Sequence, residues 1–256
     1  FTKHPEAKKE KPFLYLKAVH NLLNALFILG RHKKMNLEIE NLEQFYAQSS
    51  TFNENLEKQT FVYLYTAKLN KHFLEGTFTE GLELIKPIET KLGQYHQYID
   101  IHRVLVFYYK IASLYFGSGD NEQAIEYLNK IINLKVGHLH SDIQYFERLL
   151  HLIAHYELDN LQLVEHLIKS VYRFLSKMES LDAVLTQIFE FLKKSLSSNP
   201  QDVKKSFVEL RNKLEIISTS KYNRRSYQYL DIVSWLDSKI ENMAVEEVIR
   251  RKFMKG

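Results

Sequence analysis

The chain has no cysteine in 256 residues. That absence removes disulfides, thiolate metal sites and cysteine nucleophiles together, and it fits a reducing compartment, which points to the cytoplasm. Glycine and proline are scarce, at eight and four. So few turn formers do not suit a sheet-rich fold, and no run alternates apolar and polar residues between hairpin signals. What remains is an all-helical reading. Long apolar runs are also missing: VLVFYYKIASLYF is well short of the roughly 20 residues of a membrane span and carries Lys110. No leader is recognisable, but the chain opens on Phe1 without an initiator Met, which leaves room for upstream repeats or a further domain.

The charge balance is also modest. A net charge of +4 is small for this length, and the basic clusters are local: Lys3, Lys8, Lys9 and Lys11; Arg31, Lys33 and Lys34; Arg224 and Arg225; Arg250, Arg251 and Lys252. They lie at chain ends and turns, where cations favour helix C-termini, rather than in a basic stripe interleaved with aromatics. Nucleic acid is therefore disfavoured as a partner. Catalytic signatures are missing as well, with no GxGxxG, P-loop, GxSxG or HExxH. Asp182, Asp231 and Glu246–Glu247 are scattered acids, and Glu246 with Arg250 and Glu247 with Arg251 have the spacing of exposed helical ion pairs. No enzyme activity, cofactor or metal is expected.

The informative stretch is 108–136, YYKIASLYFGSGDNEQAIEYLNKIINLKV. Tyr108, Ile111 and Tyr115 form one helical stripe, and Ala124, Leu128, Ile131 and Ile132 form a second. Ala112 and Ala124 leave room for close backbone packing. Gly117 and Gly119 end the first helix, and Asp120 can cap the next.

Tyr108, Ile111–Ala112, Tyr115, Gly119–Asp120, Ala124, Leu128 and Ile131 resemble the tetratricopeptide repeat, with Val136 where that family usually has proline. The resemblance implies an all-α, α-α superhelix of antiparallel helix pairs that binds peptides or protein surfaces.

Turn signals recur at Gly30–Lys34, Gly76–Thr79, Gly117–Asp120, Asp159–Asn160, Asn199–Pro200 and Asn242–Ala244, about 40 to 46 residues apart against 34 for the ideal unit. The pattern predicts five to six helix pairs, with helices over 13–29, 35–49, 53–74, 78–92, 98–116, 120–134, 141–157, 160–177, 180–197, 200–218, 223–241 and 244–254. Pro12 and Pro200 fit first-turn positions, whereas Pro87 should kink or break its helix. With no linker-like stretch, residues 13–256 read as a single repeat domain, clearest at 105–136, preceded by a mobile segment 1–12. The polar segment AVEEVIRRKFMKG suits a terminal cap.

In arrays of the family it resembles, first helices line the concave side. The candidates for peptide contact there are Lys17, His20, Asn21, Asn24, Tyr63, Asn70, Arg103, Tyr109, Lys110, Ser113, Glu147, His151 and His155. Asn24 and Asn70 stand at similar distances before Gly30 and Gly76, which loosely resembles the asparagines with which some members hold a peptide carboxylate. His20 stands where those members carry lysine. Glu147, His151 and His155 form a column at four-residue spacing, with His138 and His140 in the loop before it, but HLIAH lacks the acid of a metalloprotease motif. The expected function is a non-enzymatic scaffold for a protein or peptide. The alternatives are a domain that tightens around an effector, a nucleic-acid-binding repeat, an all-helical enzyme, or self-association through an uncapped end.

Overall fold

The computed structural model describes residues 7–49, 53–134, 141–177, 183–218 and 231–255. Val136, His138, His140, Asp182, Arg224, Arg225, Lys3 and the first six residues of the expected mobile segment lie outside them.

The fold is all-α, a succession of antiparallel helix pairs. A single turn, α1 (Ala7–Glu10), precedes α2 (Pro12–Ile28) and α3 (His32–Ser49). Next come α4 (Glu54–Glu75) and its partner, broken into α5 (Phe78–Gly81), a 3-10 turn (Leu82–Leu84) and α6 (Ile85–Gln94). The remaining pairs are α7 (Ile101–Ser118) with α8 (Asn121–Asn133), α9 (Ser141–Glu157) with α10 (Leu161–Lys177), α11 (Ala183–Ser195) with α12 (Pro200–Ser218), and α13 (Ile232–Glu241) with α14 (Val245–Lys255).

The turns follow from residue chemistry. Left-handed backbone occurs at Gly30 (φ 63°), Gly76 (φ 65°), Gly119 (φ 92°), Asp159 (φ 55°) and Asn242 (φ 55°). These are the residue types that tolerate positive φ at a helix C-terminus. The remaining turn uses a cap, in which Asn199 Oδ1 accepts from Asp202 N at 3.0 Å. Asp120 Oδ1 likewise accepts from Gln123 N at 3.0 Å, so α8 starts where the sequence places it. Pro87 has no N–H for the carbonyl of Glu83 and its ring crowds that carbonyl; the 3-10 turn falls there.

Close contacts divide the chain into two compact units, Phe1–Phe107 and Tyr108–Gly256, with the division inside α7. In the first, α2 packs on both α3 and α4, and α3 packs on α4. Its interior holds Leu16, Leu42, Leu56, Phe61, Leu69 and Ile88, all fully buried. Phe61 stacks on Phe107 at 5.7 Å between centroids. Each such side chain contributes about 1.5–3 kcal/mol of apolar transfer.

In the second unit each helix from α8 to α14 packs on the next. Ala112 and Ala124 are both fully buried, as close approach of α7 and α8 requires. Further along, Tyr156, Phe191, Phe207 and Trp235 form an aromatic cluster, with the Phe207 and Trp235 centroids 5.6 Å apart. Glu157 at the end of α9 accepts from Trp235 Nε1 at 2.7 Å and from Lys239 Nζ, tying α13 to a helix two pairs earlier. At the C-terminus Glu246 pairs with Arg250 at 2.7 Å. The pairing expected between Glu247 and Arg251 is replaced: Arg251 reaches across the turn to Glu241 at 2.5 Å.

Candidate functional site

The first helices of unit 1 place four of the candidates in one chain of contacts. His20 on α2 stacks on Tyr63 of α4, with ring centroids 4.0 Å apart and planes at 12°. The Arg103 guanidinium, in the first turn of α7, lies 5.5 Å from the same tyrosine ring. One turn beyond His20, Asn24 Nδ2 is 3.1 Å from His20 Nε2, a contact in which the amide can donate only to a neutral imidazole protonated on Nδ1. Gln59, one turn before Tyr63, donates from Nε2 to the phenol oxygen at 2.9 Å. Arg103 is steered by Asp100, which accepts from its guanidinium at 3.0 Å and from its backbone N at 3.0 Å.

The electrostatics follow from this arrangement. Burial is the main cause holding His20 below the usual imidazole range, and the nearby Arg103 charge adds to it. His20 is therefore neutral at pH 7, and the Arg103 guanidinium is the formal charge of the group, with its side chain 34% exposed. Lys17 and Asn21 stand exposed beside it on α2. Asn70 lies deeper, only 5% exposed on α4. Of the two asparagines that resemble a carboxylate clamp, one is thus in the interior and the other is engaged with His20.

In unit 2 the corresponding residues lie inward. Tyr109 is 2% exposed and faces Phe146 at 6.5 Å between centroids, a core position. Ser113 donates to the Tyr109 carbonyl at 2.9 Å. Burial pulls Lys110 down to about 8. Glu147 is fully buried; one oxygen accepts from Arg148 at 2.6 Å, and Oε1 has no hydrogen-bond partner among the described residues. Burial outweighs the Arg148 charge and pushes Glu147 up to about 8, so it is largely protonated at neutral pH. His151, also buried, is brought down to about 4 by burial, then by His155 and Arg148. It meets the His155 ring edge-on at 4.6 Å.

Among the described residues no three His, Asp or Glu side chains converge as metal ligands. A cavity of about 430 Å³ opens in unit 2 where the α7–α8 and α13–α14 turns come together, bordered by Phe207, Trp235, Lys204 and Lys239. Its acid, Glu157, is occupied by Trp235 and Lys239. Among the described residues no helix is long and apolar enough to cross a membrane.

Gln59 and Asp100 escaped the sequence reading. Each was detectable: Gln59 lies four residues before Tyr63, and Asp100 sits in a capping position three before Arg103.

Residues 105–135 match the family model for the tetratricopeptide repeat. No protein of curated function matches the chain. Two crystal structures of nearly identical tetratricopeptide-like repeats from a Podosopora anserina kinesin light chain candidate, one a point-substituted variant, are each similar at 17% identity and a TM-score of 0.49, over 94% of this chain and 97% and 98% of theirs.

Proposed function

We propose that this tetratricopeptide-like helical repeat protein holds an extended segment of a protein partner along the first-helix face of unit 1. Repeats of this kind generally serve as protein-interaction scaffolds. The observation that carries the reading is the Arg103–Tyr63–His20 stack, which spans three successive first helices and leaves a cation, two ring edges and the Asn24 amide in fixed positions. Rings packed in this way make contact at little ordering cost. Arg103, Lys17 and a neutral His20 favour a segment carrying at least one carboxylate, with Arg103 exchanging Asp100 for the ligand. No chemical step is assigned to the protein, and its work is recognition.

The test is selection of displayed random peptides on the intact chain, with counter-selection on the Lys17→Ala/Asn24→Ala/Arg103→Ala variant. Acid-bearing peptides that bind the intact chain and lose at least about tenfold on a variant of unchanged helicity support the reading, since tenfold is about 1.4 kcal/mol. Peptides that bind both proteins equally would overturn it.

A further inference from the structure

The cavity in unit 2 is walled by helices far apart in sequence: the end of α7 (Phe116), the first turns of α12 (Lys204, Phe207), α13 (Trp235, Lys239) and the start of α14 (Val245). At about 430 Å³ it falls within the roughly 300–1,000 Å³ of small-ligand sites. Phe116, Phe207 and Trp235 are buried core residues, so the wall they form is apolar and fixed by packing.

The charges around it do not cancel. The charged lining residues are Glu157, Lys239 and Lys204. Glu157 accepts from Trp235 Nε1 at 2.7 Å on one oxygen and from Lys239 Nζ on the other, so the acid and that cation are engaged with each other. Ser238 is occupied too, donating to the Trp235 carbonyl at 2.7 Å. Asn121 Oδ1 has no partner among the described residues, but it is closed to solvent. Lys204 is different: it is exposed and makes no ion pair among the described residues.

We propose that this cavity takes a small organic acid with an apolar body, its carboxylate against Lys204 and its hydrocarbon on Phe207 and Trp235. One unengaged cation matches one negative charge, through a charge-assisted hydrogen bond, and a phosphate dianion would be left half compensated. The apolar wall takes the body of the acid, with each buried methylene strengthening binding about threefold to fourfold. A peptide strand or a sugar fits less well, because the polar groups of the wall are already occupied and the ligand's own amides or hydroxyls would be buried without partners. The site is separate from the first-helix face of unit 1, and neither reading depends on the other.

Trp235 is the single tryptophan of the chain, so its indole N–H, bonded to Glu157 at the cavity wall, gives one nitrogen–proton NMR signal that reports on this site. Titration of the full chain with sodium octanoate should move that signal saturably, half-way at about 1 mM or below. Hexanoate, shorter by two methylenes, should bind at least about fivefold more weakly, and octylammonium should leave the signal in place. Lys204→Glu should weaken octanoate at least about tenfold, with helicity unchanged because that side chain is exposed, and Lys204→Arg should retain binding. An indole signal that octanoate does not move would overturn the proposal. Octylammonium binding as well as octanoate, or a Lys204→Glu variant of undiminished affinity, would overturn it equally, since the cavity would then select for neither charge nor Lys204.

Discussion

The candidate residues on the first helices of the two units end up in different environments. In unit 1 the first helices hold Arg103, Tyr63 and His20 in a contact stack from which the Arg103 side chain remains 34% exposed. In unit 2 the first helices hold Tyr109, Glu147 and His151 at 2%, 0% and 8% exposure. Both sets combine a tyrosine, a histidine and one charged residue type, arginine in one and glutamate in the other. Unit 2 also has a long-range tie, in which α13 reaches back to α9 through Glu157 and Trp235, with Tyr156, Phe191 and Phe207 packed in the same cluster. The clearest difference lies in the charged group: Arg103 keeps a third of its side chain in solvent, Glu147 keeps none, and Tyr63 at 8% is as buried as His151.

The largest effect should come from breaking that tie. Trp235→Ala removes a fully buried indole and takes away the donor to Glu157 Oε1, leaving Lys239 on the other oxygen. A loss of about 3–5 kcal/mol in urea unfolding is expected. Tyr63→Ala is the matched change in unit 1 and should cost less, because that ring is 8% exposed and stacks on half-exposed groups. Equal losses would erase the distinction between the units.

The second effect is pH dependent. Glu147 has a folded pKa of about 8 against an ordinary value of 4.5. Between those values the folded state binds more protons than the unfolded chain. The stability this group contributes is therefore fully present below about 4.5 and lost as pH rises through about 8. Glu147→Gln should gain on the parent between pH 5 and 8, by a few kcal/mol at most, and hold level above. His151 works in the opposite direction: with a folded pKa of about 4 against 6.5, it causes a loss of stability as pH falls through that window. Urea unfolding at pH 5, 6.5 and 8 measures the difference, and a variant that tracks its parent at every pH would show that Glu147 is solvated.

The legible part of this fold was the local part. A left-handed turn needs Gly, Asn or Asp, so five of the hairpin turns could be located by residue type, and α9 and α12 run over the ranges the pattern predicts. Helix α7 starts three residues later than the apolar pattern suggests, because Tyr95 accepts from Tyr98 and Ile99 in a turn and Asp100 then caps the helix. The contact between Glu157 and Trp235 left no local trace, since 78 residues separate the two. For the same reason Tyr63 and Tyr109 could not be told apart: both sit on amphipathic first helices, and their environments are set by other pairs.

The smallest effect isolates the candidate site from stability altogether. Arg103→Ala should change unfolding free energy by less than about 1 kcal/mol, as expected for a partly exposed ion pair with Asp100. Its signature lies in His20. Burial is the larger cause of the depressed imidazole pKa and Arg103 the smaller. Removing the guanidinium should therefore move the His20 titration upward yet leave it below 6.5, and NMR of the ring protons reads this directly. A full return to 6.5 would mean that charge, and not burial, dominates there, and that the stack is open to water. No movement would mean that Arg103 does not sit over Tyr63 in solution, and the face would lose the cation on which acidic-segment binding depends.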